Sequence, residues 1–179
     1  MFDDFLENPE LQRAFKTIEE SKKFKVDMSL MDELRSYVSV AKVACENADR
    51  MRLPNRYKTE EDLHKLCAFI AEVQAKRDRV IEIKVEFIPL QRALRRIWEE
   101  AIGLFYSYEH LAKLSPAPRR DAAINKILGP IREAMSKVDM IIDTATDIDR
   151  HLGNAYFTLK ELKAIGTVYI EASQRQRGV

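Results

Sequence analysis

The chain reads as all-α: an elongated antiparallel helical hairpin, its two helices of about 45–50 residues kinked by proline and covered by two shorter N-terminal helices in a coiled-coil-like bundle. Three observations predict this. Apolar residues recur in alternating steps of three and four from Leu66 to Leu111, and again from Ile124 to Tyr169. That spacing keeps one seam of a helix against a partner helix. Between the two stretches lies Ser115-Pro116-Ala117-Pro118, where both prolines oppose helix continuation. Only 5 glycines and 6 prolines occur in 179 residues, which argues against a fold built on many turns.

An N-terminal helix is predicted over about Asp3 to Lys23, with Phe5, Leu6, Leu11, Phe15 and Ile18 on its apolar side and Pro9 in its first turn. A basic link, Ser21 to Asp27, follows. The second helix runs from about Asp27 to Arg52, with Leu30, Leu34, Tyr37, Ala41, Ala44, Ala48 and Met51 along its seam, and Leu53-Pro54-Asn55-Arg56-Tyr57 breaks it. Thr59 then opens the third helix with Asp62 three residues on, an acidic form of the capping box. That helix ends near Lys113, and Pro89 should kink it. The fourth runs from about Arg119 into the 170s, bent near Gly129-Pro130, and the chain closes on the basic tail 175–179. The whole is one elongated domain, 1–179, with an arm over 1–25 and a helical core over 27–113 and 119–174.

Folding the third helix back on the fourth at the proline turn matches seam residues whose numbers total 235, so that Leu90 faces Ala145 and Val80 faces Ala155, large against small. That register predicts flanking ion pairs of Lys84 with Asp149, Glu86 with His151 and Glu100 with Lys137. The second helix pairs with the third at totals near 112. Ile70, Trp98, Phe105, Leu128, Met135, Ile142 and Tyr156 widen the apolar stripe beyond a two-stranded seam, so a further helix must cover them.

Composition excludes several functions. The net charge is +1, so nucleic acid or an anionic membrane would have to be met by a local patch. No apolar run approaches the roughly 18 residues that span a membrane. Acids stand near the N-terminus where an export signal carries bases. The two cysteines have no metal-like spacing, which fits a reducing compartment, the cytoplasm of a cell or of an infected host.

Glu61 and His64 have the spacing of ferritin-like iron ligands, but that chemistry needs a second such motif, and none occurs. Asp147 and His151 read as a surface pair at i, i+4, Cys45 and Cys67 as small buried hydrophobes at one level, and Phe105, Tyr106 and Tyr108 as core packing. With no Gly-rich phosphate loop, nucleophile elbow or Cys/His catalytic grouping, the chain reads as a non-enzyme without metal or cofactor.

Two basic groupings are the candidate sites. One is a tip made of Arg50, Arg52, Arg56 and Lys58, joined by Arg175 and Arg177, placed to contact nucleic-acid phosphates and diluted by Glu60, Glu61, Asp62 and Glu171. The other is an outward stripe of Arg92, Arg95 and Arg96, matched in height by an outward stripe of Asp139, Asp143 and Asp147. Neighbouring copies that meet head to tail would bring the two stripes together in a ring or filament.

An oligomeric hairpin of this size resembles, by architecture, phage DNA-transaction proteins, namely small terminase subunits and recombination mediators. The leading reading of the residues is a non-enzymatic, homo-oligomeric helical adaptor, with the basic tip as its candidate nucleic-acid site. The second reading is a protein-binding module, an inhibitor or a virion or secretion-machine component, that docks a protein partner through its N-terminal helix.

Overall fold

The computed structural model describes Lys16 and residues 28–51, 59–107 and 117–177. Three α-helices make up these residues: α1, Ser29–Met51, of 23 residues; α2, Glu60–Ser107, of 48; and α3, Ala117–Arg177, of 61. No strand occurs among the described residues. The predicted N-terminal helix, the break at 53–57 and the end of the third helix at Lys113 lie outside them.

The helix starts follow from local chemistry. The backbone N–H of Asp62 donates to Thr59 Oγ1 at 3.2 Å and the Thr59 hydroxyl returns to Asp62 Oδ2 at 2.8 Å, so the predicted capping box forms. Three acids in the first turn of α2 face the positive end of its dipole. α3 begins at Ala117, two residues before the predicted start, because Pro118 falls in the first turn, where no N–H is required. Both interior prolines are carried within continuous helices. Pro89 is exposed, as is Val85 four residues before it, so the carbonyl that the proline leaves unpaired lies on a solvated face.

The described helices divide into two compact units, one holding 86–107 and 117–142, the other 29–51, 60–85 and 143–177. In the second unit three helices pack together. Leu34, Ala41 and Ala44 of α1, Leu66, Val73, Val80 and Ile83 of α2, and Ala145, Ile148, Leu152, Ala155, Leu159 and Leu162 of α3 are buried. α1 is held across α2 by Glu33, which accepts from Arg79 Nε at 3.0 Å and from the Tyr37 hydroxyl at 2.8 Å. The Lys76 ammonium stands 5.6 Å from the centre of the Tyr37 ring. Glu33 and Arg79 total 112, the register anticipated for this pair of helices. The Cys45 thiol ties α1 to α3 by donating to the carbonyl of His151 at 3.8 Å.

In the other unit Phe87, Leu94, Ala101 and Phe105 of α2 are buried, as are Leu128, Ile131, Val138, Ile141 and Ile142 of α3. Gln91 donates to Asp139 at 2.6 Å and the Tyr106 hydroxyl to Asp121 at 3.1 Å. Of the residues predicted to widen the stripe, Phe105, Leu128 and Ile142 are buried, and Ile70, Trp98, Met135 and Tyr156 are half-buried.

α2 and α3 run antiparallel in both units, but the register differs from the predicted one. Arg77 Nε donates to Asp149 Oδ1 at 2.8 Å, so Asp149 pairs about two turns away from Lys84. Lys137 pairs with Glu133 and Glu100 with Arg96, each within its own helix. The pairs Arg77–Asp149, Gln91–Asp139 and Tyr106–Asp121 total 226, 230 and 227. Only the terminal pair of Gln174 with Glu60, at 2.8 Å, reaches 234. The totals centre near 228, one heptad below 235. A repeat of seven looks the same after a slip of seven, so seam still meets seam. Tyr169, which a total of 235 sets against Leu66, is 54 % exposed.

Leu94 is fully buried and Leu90 only half-buried. Leu94→Ala should therefore cost about 2–5 kcal/mol and Leu90→Ala clearly less, measured by urea unfolding. Equal losses would show that the two sites are equally enclosed. The Arg79 guanidinium, and next the Tyr37 hydroxyl, hold the Glu33 carboxyl below its ordinary value. A depressed carboxyl adds stability above its unfolded pKa of about 4.3, and this is lost as pH falls through the lower folded value. Glu33→Gln should flatten the acid limb of the stability curve below about pH 4.5. An unchanged limb would show that the Arg79 contact is not formed in solution.

Candidate interaction surfaces

Of the predicted basic tip, Arg175 is exposed near the end of α3, and Arg50 and Arg177 lie in the last turns of α1 and α3. Arg52, Arg56 and Lys58 fall outside the described residues. The Gln174–Glu60 hydrogen bond brings the end of α3 to the acidic first turn of α2, where Glu61 already holds Lys65 at 2.6 Å.

Arg92, Arg95 and Arg96 are all exposed on α2, and Arg96 approaches Glu100 at 3.7 Å. The acidic stripe is not uniformly outward, which corrects the sequence reading. Asp139 is half-buried and turned toward α2 by its bond from Gln91. Asp143 is exposed, and exposed Asp147 takes a bond from Arg150 at 2.9 Å rather than from His151. Asp139 stands one residue beyond the buried seam residue Val138, so it flanks the seam and meets a donor on α2.

The remaining sequence motifs resolve into local contacts. Glu61 engages Lys65, and among the described residues no three His, Cys, Asp or Glu side chains gather closely enough to hold a metal ion. Cys45 and Cys67 are half-buried rather than buried, and no disulfide joins them. Phe105 is buried as core, whereas Tyr106 is exposed and bonded to Asp121. No helix among the described residues is long and apolar enough to cross a membrane.

Two surfaces were not foreseen. One is an open groove of about 500 Å³ between α1 and α3, with Val38, Ala41 and Ile148 as apolar lining and Lys42, Glu46, Asp147 and His151 as polar lining. The other lies on the last third of α3. Leu162 is the last buried hydrophobic side chain of that helix, yet the helix continues to Arg177. Phe157, Ile165 and Val168 are 60 %, 66 % and 66 % exposed, on the side of α3 away from buried Ala155, Leu159 and Leu162. The signal was available: Glu161, Ile165, Val168 and Ala172 form a second 4-3-4 series, offset from the seam.

Because Arg92, Arg95 and Arg96 are exposed, reversing all three to Glu should change monomer stability only slightly, by about 0.5 kcal/mol or less per site. Denaturant unfolding checks this. A larger loss would place these side chains against other parts of the chain. Comparison of the chain with protein-family models, with curated proteins and with solved structures gave no match.

Proposed function

We propose that the chain is a non-enzymatic, homo-oligomeric helical adaptor, which acts by presenting helix faces to other chains. One observation carries the reading: α3 buries one side of its last third in the bundle and leaves Phe157, Ile165, Val168 and Tyr169 on the surface. Together these side chains expose on the order of 400 Å² of largely apolar area, in the range where a patch on a soluble protein marks an interaction site. Scattered single hydrophobes need no such explanation, but Ile165 and Val168 stand three residues apart on one side of the helix, with Phe157 toward the same side.

Nucleic acid is a candidate cargo of such an adaptor, carried by Arg175 and the other bases of the tip, with the acids of the α2 first turn working against it. The two activities respond oppositely to salt. Association through apolar faces persists as salt rises, whereas phosphate binding falls steeply.

Size-exclusion chromatography with light scattering tests the reading. The expected result is a mass that rises with concentration to a multiple of 20.8 kDa and holds between about 0.05 and 0.5 M salt. A chain that keeps the mass of one copy at every concentration would overturn it.

A further inference from the structure

We propose that the outer face of α3 between Phe157 and Arg175 is a two-fold interface, on which a second copy of this chain lies antiparallel. The inference rests on the self-assembly reading and deepens it by naming the partner and its orientation.

The series Thr158, Glu161, Ile165, Val168, Ala172 and Arg175 steps by three and four, the spacing of a helix-pairing seam. Glu161, Ile165, Val168, Ala172 and Arg175 are exposed on the structure, and Thr158 is half-buried. The series is palindromic in its spacing, so two antiparallel copies map it onto itself. Ile165 then lies opposite Val168 of the partner, and Glu161 opposite Ala172 of the partner. A helical side chain leans toward the N-terminus of its own helix. Arg175 therefore reaches back over the small Ala172 toward the partner's Glu161. Symmetry makes this contact twice, once at each end of the apolar centre.

Charge decides the direction. In a parallel pair each residue would meet its own copy, setting Glu161 against Glu161 and Arg175 against Arg175. Both charged layers would then repel. The antiparallel pair turns the same two layers into attractions, with the uncharged centre between them. Size agrees with a specific but modest association. About 28 Å of helix is involved, burying roughly 1,000 Å² across two copies, near the lower limit of a specific interface.

The test uses the full chain and analytical ultracentrifugation over a concentration series, with far-ultraviolet circular dichroism to verify helix content. Glu161→Arg alone and Arg175→Glu alone should each weaken association by about tenfold, since each sets like charges together. The double variant should recover to within about threefold of the wild type, because its complementarity is inverted rather than lost. Ile165→Glu should abolish association. Single reversals that leave the affinity unchanged, or a double variant that does not recover, would overturn the antiparallel pairing. An oligomer indifferent to Ile165→Glu would place the interface elsewhere and leave the self-assembly reading standing. A wild type that stays a single copy at all concentrations would remove both.

Discussion

The apolar seam between α2 and α3 is the constraint on which the other features depend. On α3 both positions of the repeat are buried from Ile131 to Leu162. On α2 one position is buried at every heptad, Leu66, Val73, Val80, Phe87, Leu94 and Ala101, while the alternate position is half-buried at Phe69, Lys76, Leu90, Ile97 and Leu104. In the unit that holds α1 all three helices touch: α3 meets α2 through Asp149 and α1 through the carbonyl of His151, and α1 meets α2 through Glu33.

Polar contacts select among the registers that burial permits. A heptad repeat is indifferent to a slip of seven residues, and hydrophobic burial, being non-directional, cannot choose between the alternatives. Arg77 with Asp149 and Gln91 with Asp139 are specific in position and partly removed from water. Bonds of this kind contribute little net stability each, but they are lost entirely when the register moves. The same logic holds α1 in place. Glu33 is bonded by both Arg79 and Tyr37, and burial followed by the Glu33 bond pushes the Tyr37 hydroxyl above its ordinary value.

The ends of the two long helices shape the surface on which the functional proposal stands. Leu66 is the first buried hydrophobic side chain of α2 and Leu162 the last of α3, which continues to Arg177. What α2 offers beyond that point is its polar first turn, Glu60 to Asp62. The last turns of α3 then keep apolar side chains in water on one side and bond to Glu60 through Gln174 on another.

The all-α class, the antiparallel pairing of the long helices, the Thr59 cap and the packing of α1 on α2 at totals near 112 were all legible in the sequence, because periodicity and capping are local properties of the chain. So was the inward side of α3 from Ile131 to Leu162. The choice of total, near 228 rather than 235, was not legible, since the repeat that reveals the seam is blind to a shift by its own length. Nor was the bond that half-buried Asp139 takes from Gln91, or the exposure of Tyr169. The groove between α1 and α3 was equally hidden, because it depends on where two helices distant in sequence come to rest. Sequence alone thus determined which residues face inward. Only the tertiary structure decided which of them meet, because directional contacts between side chains exist only once the helices are placed.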